Sequence, residues 1–272
     1  MADNRAIGVF DSGLGGLTVA REIMKLLPNE NIVYFGDTGR VPYGTKGRDT
    51  IRKYALQDER FLLNHDVKMI VAACGTVSSV AADTAEVLPV PFVEVVSHSV
   101  RAAVNATKNQ KIGILATSAT INSGAHKKQI LEILPSAEVI EAAGTLLVPL
   151  VEEGWTKQDD NIAIETLKRY LKPMIDAGVD TLILGCTHFP VLSSIIRGIL
   201  GSDVTLINMG EATAKAIGQM LKNSDSLNDG TKAAEYNFYA SDITRSFEKT
   251  VEILLGNYNK DFQIEQVDIE KV

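Results

Sequence analysis

The chain contains two cysteines, and each one follows an apolar run and precedes a small polar segment. Cys74 ends the run MIVAAC and Cys186 ends the run TLILGC. Runs of this kind predict strands of a parallel sheet that are buried on both faces. The carboxyl ends of parallel strands form the rim where α/β proteins bind ligands, so two strands would each bring one thiol to that rim. We therefore predict a site at which two thiols transfer protons on two sides of a bound molecule.

The expected cellular compartment favours free thiols. The segment MADNRAIGVF has no basic region followed by a long apolar stretch, and the sequence has no uninterrupted apolar run of 18 residues. We therefore expect a cytoplasmic protein with no membrane partner, and a reducing compartment keeps cysteines reduced. The sequence has no CxxC or HExxH motif, and of its four histidines only His188 is near a cysteine. No metal site is predicted.

Composition excludes some partners. The chain of 272 residues carries 34 acidic and 27 basic residues, with a net charge of −7 and no block of Lys or Arg. This balance argues against binding to nucleic acid. The length allows one large or two ordinary domains, and a hydrophobic content of 45% is sufficient for a core.

Apolar runs alternate with helix-like stretches along the chain, which predicts an α/β fold with parallel sheets flanked by helices. GLGG at 13–16 lacks the Lys-Ser/Thr of a phosphate loop and predicts a turn into a helix beginning near Leu17. A polar loop at 222–232 precedes a late segment made of 235–240, a helix-like stretch 243–255 and 262–269. The predicted strands lie near 6–10, 31–36, 68–73, 91–95, 111–115, 138–141, 181–184 and 204–207.

The order of the motifs indicates an internal repeat. AIGVFDSG resembles KIGILATS at an offset of 105 residues, and MIVAACGT resembles TLILGCTH at an offset of 112 residues. Similar offsets predict two pseudo-symmetric lobes that face each other across a cleft, with one thiol from each. We place the first lobe at 1–96 and 209–272 and the second at 97–208. The alternative is that any α/β protein contains strands as similar as these.

Four motifs, in their order and spacing, resemble the glutamate racemases, which are cofactor-independent enzymes of the aspartate/glutamate racemase superfamily. They are IGVFDSGLGGLTV, YFGDTGRVPYGTK, VAACGTVSS and LILGCTHFP, and the match runs from about Ile7 to Ala216. The resemblance implies interconversion of L- and D-glutamate without pyridoxal phosphate, metal or nucleotide. It also implies a supply of D-glutamate for peptidoglycan.

Inversion of an α-carbon removes a proton from one face and returns one to the other, which suits two fixed bases. Two thiolates beside one carbanion would repel each other, so we expect one thiolate and one thiol that exchange roles. By resemblance, Cys74 acts on D-glutamate and Cys186 acts on L-glutamate.

The resemblance also assigns roles to polar neighbours of the cysteines. Asp11 would adjust the proton affinity of Cys74, Ser12 would contact substrate, His188 would assist Cys186, and Glu152 would orient His188. From the residues alone, Asp11 could equally be a helix N-cap and His188 an ordinary surface or capping histidine. The carboxylate of Glu152, or of its neighbour Glu153, could simply be solvated.

The remaining substrate contacts would come from hydroxyls, backbone N–H groups and one loop. In that loop, Tyr43 and Gly44 match a substrate-contacting pair of the family, although Gly44 also suits a tight turn. Arg40 is expected to be exposed and is not assigned to substrate. Asp37 would receive the substrate ammonium or cap locally. The hydroxyls at the predicted rim that could bind carboxylates are those of Ser12, Thr76, Ser78, Thr117, Thr120 and Thr187.

The sequence departs from the family at one position. Family members usually have Asn directly after the first cysteine, whereas this chain has Gly75, which keeps only a backbone N–H for substrate. The departure puts the substrate preference in doubt, so a racemase for aspartate or another amino acid is an alternative. A cysteine hydrolase or lyase would need Cys186 but not Cys74, and a non-catalytic binding protein would need neither. The sequence leaves open whether the chain forms a homodimer.

Overall fold

The computed structural model describes residues 2–244, 247–258 and 263–271, which contain ten strands. Every strand pairing in it is parallel, as the alternation of strands and helices predicts. The strands are β1 (Ala6–Asp11), β2 (Ile32–Gly36), β3 (Val67–Ala72), β4 (Phe92–Glu94), β5 (Lys111–Ala116), β6 (Glu138–Ala143), β7 (Thr181–Gly185), β8 (Thr205–Asn208), β9 (Tyr236–Ala240) and β10 (Ile264–Gln266).

The strands form two sheets of related topology. The first sheet has six strands in the order β10-β9-β2-β1-β3-β4, and the second sheet has four in the order β6-β5-β7-β8. Within the first sheet, β2-β1-β3-β4 repeats the order of the second, so β3 and β7 occupy equivalent positions. Cys74 follows β3 and Cys186 follows β7, and this equivalence supports the predicted repeat. The lobe boundaries at 96/97 and 208/209 stay a prediction.

Eleven α-helices in the described residues flank the sheets. Short 3-10 helices lie at Thr38–Arg40, Tyr43–Thr45, Ala82–Val87, Phe189–Leu192, Gly256–Tyr258 and Ile269–Lys271. The α-helices are α1 (Leu17–Leu26), α2 (Arg48–Leu63), α3 (Gly75–Val80), α4 (Val95–Ala106), α5 (Ser118–Ser123), α6 (Ala125–Ile133), α7 (Leu147–Glu152), α8 (Asn161–Ala177), α9 (Ser193–Leu200), α10 (Met209–Asn223) and α11 (Phe247–Leu255).

Local sequence signals set several helix ends. The side chain of Asp160 accepts hydrogen bonds from the N–H groups of Ile162 and Ala163 at the start of α8. Gly178 ends that helix with a left-handed φ of 68°, which glycine adopts without steric cost. Thr117 caps α5 in the same way by accepting from the N–H of Thr120. The cap therefore fixes Thr117 at the carboxyl end of β5.

A continuous apolar core joins the two sheets. It includes Ile7 and Val71 of the first sheet, Ile114 and Leu184 of the second, and Ile217 of α10. Helix α10 packs against α1 and α4, so it contacts helices that follow strands of the first sheet. A second cluster covers the other face of the first sheet, beneath α2. The sheets are thus held together by shared apolar packing as well as by contacts at the cleft.

The predicted strands occur within one or two residues of their expected positions, because each is a short apolar run between turn residues. The predicted turn at 13–16 leads into α1 at Leu17. Of the helix expected at 243–255, the structure shows 247–255, and residues 245 and 246 lie outside the described residues. Within the stretch expected at 262–269, β10 covers 264–266, and residue 262 lies outside the described residues.

Two further observations concern the described ranges. None of their helices combines the length and apolarity needed to cross a membrane. Nor do they bring three His, Cys, Asp or Glu side chains close enough together to hold a metal ion.

Candidate active site

A cavity of about 380 Å³ lies where the carboxyl ends of β1 and β3 in the first sheet face those of β5 and β7 in the second. This volume suits a small molecule the size of an amino acid. Most of the residues predicted for the site line the cavity; Asp37, Ser78 and Thr120 do not. Those that do are Asp11, Ser12, Tyr43, Gly44, Cys74, Gly75, Thr76, Thr117, Glu152, Cys186, Thr187 and His188.

Both thiols are free and nearly buried in the cavity wall. Cys74 is 5% exposed and Cys186 is 6% exposed, and neither forms a disulfide. They come from equivalent strands of the two sheets, so each half of the molecule supplies one sulfur to the same cavity. A molecule bound between them could exchange protons with a thiol from each sheet.

Cys74 lies beside an acidic neighbour. Its Sγ is 3.6 Å from the Oγ of Ser12, and burial together with the nearby charge of Asp11 raises its pKa to about 12. Hydrogen bonds to the thiolate from the backbone of Val77 and from Ser12 oppose this increase. Cys74 is therefore a protonated thiol at neutral pH and can donate a proton.

Asp11 is buried at the end of β1 and is not an N-cap of α1. Its Oδ2 accepts a hydrogen bond from the N–H of Gly13 at 3.2 Å, whereas Gly16 precedes α1 without a side-chain cap. Its Oδ1 has no hydrogen-bond partner among the described residues. Burial raises the pKa of Asp11, and the positive charge of His188 opposes that effect. Asp11 thus acts electrostatically on both halves of the site.

Cys186 has a basic neighbour, which in turn contacts a carboxylate. The Nδ1 of His188 lies 4.0 Å from the Sγ of Cys186, and its Nε2 lies 3.2 Å from the Oε1 of Glu152. Burial alone would lower the pKa of His188, but the contacts with Cys186 and Glu152 outweigh it and raise the pKa to about 10. His188 is therefore buried and protonated at neutral pH. Glu152 makes this contact, and its neighbour Glu153 does not line the cavity.

The two thiols therefore have opposite electrostatic surroundings. A protonated imidazole lies beside Cys186, whereas burial and the carboxylate of Asp11 favour the thiol form of Cys74. The site therefore places a positively charged group beside one cysteine and a negatively charged group beside the other. This asymmetry comes from Asp11 on one side and His188 on the other.

Hydroxyl groups connect the two sheets at the cavity wall. The Oγ1 of Thr76, in α3, lies 3.3 Å from the Oγ1 of Thr117, which follows β5. Two of the hydroxyls expected at the rim do not line the cavity. Ser78 donates to the carbonyl of Ala72, and Thr120 bonds with Thr117 at 3.0 Å. Both hydroxyls are thus engaged by neighbouring protein groups, and only Thr120 bonds to a residue that lines the cavity.

The loop that carries Tyr43 and Gly44 is held by a buried ionic cluster, and here two expectations were wrong. The side chain of Arg40 is only 13% exposed and pairs with Asp37 at 2.6 Å and Asp58 at 3.2 Å. Asp37 neither caps its helix nor lines the cavity. The hydroxyl of Tyr43 donates into the same cluster, to Asp37 and Asp58. Tyr43 therefore offers the cavity its ring and backbone.

Sequence reasoning missed part of the wall. Gly144 and Thr145 follow β6, and Val148 and Pro149 lie on α7 one turn before Glu152. The position of Thr145 after an apolar strand was a signal of the kind that identified Thr117. Pro149 carried no such signal, because its place in the wall depends on how α7 packs against the second sheet.

Comparison with known proteins identifies relatives of the whole chain. A family model described as Asp/Glu/Hydantoin racemase matches residues 7–217. A glutamate racemase of Neisseria meningitidis is 44% identical over 267 residues, covering 97% of both chains. A glutamate racemase of Geobacter metallireducens is 40% identical over 268 residues, covering 98% of both.

A solved structure agrees with these relatives. The crystal structure of glutamate racemase from Francisella tularensis in complex with D-glutamate superposes with a TM-score of 0.90. It is 39% identical in sequence, and the match covers 99% of this chain and 100% of that one. The similarity therefore extends over both sheets.

Proposed function

The chain belongs to the Asp/Glu/Hydantoin racemase family, and on this premise we propose that it interconverts L- and D-glutamate by proton transfer between two cysteines. The observation that carries the proposal is the position of Cys74 and Cys186, which come from equivalent strands of two sheets and line one cavity. The D-glutamate bound by the Francisella tularensis relative supports the choice of substrate.

The reaction starts on L-glutamate with Cys186 as a thiolate and Cys74 as a thiol. Cys186 takes the α-proton, and the electron pair left on the α-carbon delocalises into the adjacent carboxylate. Cys74 then donates its proton to the opposite face, which yields D-glutamate, a Cys186 thiol and a Cys74 thiolate. The reaction of D-glutamate runs through the same steps in reverse, so no redox step is involved and no proton is gained or lost overall.

The neighbours of each cysteine adjust these steps. Protonated His188 stabilises the Cys186 thiolate, and Glu152 keeps His188 protonated and oriented. On the other side, Asp11 raises the proton affinity of Cys74 and so strengthens it as a base once it is ionised. The ammonium group of the substrate brings positive charge that helps to stabilise a thiolate on either side.

The substrate carboxylates need donors, and the cavity wall supplies neutral ones. The hydroxyls of Ser12, Thr76, Thr117 and Thr187 line the cavity. Neutral hydroxyls and backbone N–H groups bind a carboxylate by hydrogen bonds without adding a fixed charge. We assign Tyr43, Gly44 and Gly75 to the same contacts through their backbone groups. Thr120 has only a supporting role, through its hydrogen bond to Thr117.

We infer that the reaction uses no cofactor and takes place in the cytoplasm, where it would supply D-glutamate for peptidoglycan. Racemisation through a carbanion requires a base, an acid and stabilisation of charge, and the thiols and their neighbours provide all three. A preference for aspartate is the alternative that the assay below includes. The glycine at position 75 is the reason to include aspartate among the substrates.

The experiment is a racemisation assay in deuterium oxide with L-glutamate, D-glutamate and L-aspartate, followed by circular dichroism and mass spectrometry. The enzyme is dialysed against a chelator and assayed with and without pyridoxal phosphate. We expect inversion of both glutamate enantiomers with one solvent deuterium at the α-carbon, and equal rates with and without the cofactor. Faster inversion of aspartate would reassign the substrate. Hydrolysis, or a covalent adduct on Cys186, would contradict racemisation.

A further inference from the structure

The carbonyl group of Thr187, between Cys186 and His188, lacks a local hydrogen-bond donor. Residues 189–192 form a 3-10 helix, in which a carbonyl bonds to the N–H three residues later. For Thr187 that residue is Pro190, which has no N–H. The N–H of Val191, one residue further, donates to the carbonyl of His188 instead, at 3.3 Å. The segment that carries the second thiol and its histidine therefore needs an external donor.

Thr18, on the first turn of α1, supplies that donor from the first sheet's side of the molecule. Its Oγ1 lies 2.7 Å from the carbonyl oxygen of Thr187, and its side chain is buried. The carbonyl of Gly15 is another acceptor within reach, at 3.0 Å, but it already accepts from the backbone N–H of Thr18. The hydroxyl proton is therefore best used on Thr187.

The start of α1 fits closely against this segment. A β-carbon on residue 15 would stand 2.3 Å from the Oγ1 of Thr187 and 2.5 Å from the ring of His188. Only glycine at position 15 lets the turn approach so near. The same turn thus packs against Thr187 and His188 through Gly15. It also donates a hydrogen bond to Thr187 through Thr18.

We propose that Thr18 is a positioning residue that holds the segment Cys186–His188 by its hydrogen bond to Thr187. The inference rests on the proposed function, since it gives Thr18 a role in only one of the two proton transfers. Thr18 does not line the cavity. Its loss should misplace Cys186 and leave the surroundings of Cys74 unchanged.

The test uses Thr18→Val, which keeps the shape of the side chain and removes the donor, and Thr18→Ser, which keeps the donor. We expect about a tenfold loss in kcat/KM, because a buried carbonyl left without a partner is destabilised and the segment that carries Cys186 would shift to satisfy it. L- and D-glutamate have equal free energies, so kcat/KM must fall equally in the two directions and cannot by itself locate the affected step. Isotope effects can locate it.

We expect Thr18→Val to change the two α-deuterium isotope effects on kcat/KM in opposite directions. With L-glutamate, removal of the α-proton by Cys186 becomes more rate-limiting, so the isotope effect rises. With D-glutamate, Cys74 removes the proton before the slowed step, so the isotope effect falls towards the smaller equilibrium value of that first transfer. A loss of folded protein alone would lower kcat/KM and leave both isotope effects as in the wild type. Thr18→Ser should restore the wild-type values.

A matched control is Thr213→Val on α10. Thr213 is buried, and its hydroxyl has no partner among the described residues, so this variant removes a buried hydroxyl without breaking a hydrogen bond found there. It should keep the wild-type isotope effects. Three results for Thr18→Val would overturn the role of Thr18. They are unchanged isotope effects, isotope effects that both rise or both fall, and an isotope effect that falls with L-glutamate and rises with D-glutamate. Absence of racemisation in the wild type would instead overturn the proposed function.

Discussion

The backbones at Gly75 and Gly185, each next to a cysteine in the sequence, lie in close contact. A β-carbon on residue 75 would stand only 2.8 Å from the carbonyl oxygen of Gly185, closer than real β-carbons approach such an atom. Gly75 directly follows Cys74, and Gly185 directly precedes Cys186. The contact therefore sets how closely the two cysteine segments approach each other, and it gives the departure at position 75 a structural meaning.

Gly75→Ala should push the two cysteine segments apart. A carbonyl of the main chain cannot rotate away as a flexible side chain can, and overpacking of this kind costs about 1–3 kcal/mol. We expect kcat/KM to fall roughly tenfold or more, with a smaller effect on the melting temperature. Gly198→Ala is the matched control, since a β-carbon there meets nothing within 4 Å. Full activity in Gly75→Ala would show that the contact is not needed.

Glu152→Gln should shift the pH dependence of the reaction. The carboxylate helps to raise the pKa of His188 to about 10, so its loss lowers that pKa and removes the positive charge beside Cys186 at a lower pH. The basic limb of kcat/KM should move down by up to about one unit, because Glu152 is half exposed and its charge is screened.

The pH profile is measured from 6 to 11 for both enantiomers of glutamate. Glu153→Gln serves as the control, because it removes the same charge from a side chain that does not line the cavity. An equal shift in both variants would mean that the effect comes from net charge. No shift of the basic limb in Glu152→Gln would mean that Glu152 does not affect the pKa of His188.

Arg40→Met should loosen the loop that carries Tyr43 and Gly44. The arginine pairs with Asp37 and Asp58, which are both fully buried, and removing one partner of a buried ionic cluster costs about 3–5 kcal/mol. We expect a lower free energy of unfolding in urea and a higher KM.

Arg52→Met is the control for Arg40→Met. It breaks an exposed pair with Asp83, a kind of interaction that contributes about 1 kcal/mol or less. Equal stability losses in the two variants would contradict the role assigned to the buried cluster.

His126→Leu should make the protein more resistant to acid. His126 is buried on α6, neither ring nitrogen has a partner among the described residues, and burial lowers its pKa to about 4. Between pH 6.5 and 4 the unfolded chain therefore binds a proton that the folded chain does not, so stability falls as the pH falls. This histidine accounts for up to about 3 kcal/mol of that fall.

The measurement is the free energy of unfolding of wild type and His126→Leu at several pH values from 7 to 4. The free energy of unfolding of the wild type should fall relative to that of His126→Leu as the pH decreases. A constant difference would mean that His126 does not titrate in this range.

Much of the fold could be predicted from sequence because its signals are local. Apolar runs such as Met69–Ala72 and Thr181–Leu184 lie in β3 and β7, and the cysteines after them follow the strand ends. The rim position of Thr117 followed from the same reasoning. These features depend on the order of residues along one strand and on the general rule that ligands bind at carboxyl ends.

Features that depend on contacts between distant segments could not be predicted. The burial of Arg40 requires Asp58 of α2, and the role of Thr18 requires a carbonyl 169 residues away. Ser78 and Thr120 have the residue types of substrate contacts, yet each hydroxyl is hydrogen-bonded to another protein group and neither lines the cavity. Residue type and strand position identify candidates for a site, but they do not show which way each side chain points.

The two-sided mechanism is tested most directly by Cys74→Ser and Cys186→Ser, each incubated in deuterium oxide with each enantiomer of glutamate. A serine hydroxyl is far too weak an acid to replace a thiol, so both variants should lose racemisation by about a thousandfold or more. Each should still exchange the α-proton of one enantiomer with retention: L-glutamate in Cys74→Ser and D-glutamate in Cys186→Ser. Racemisation that persists in either variant, or exchange of both enantiomers by one variant, would contradict the account.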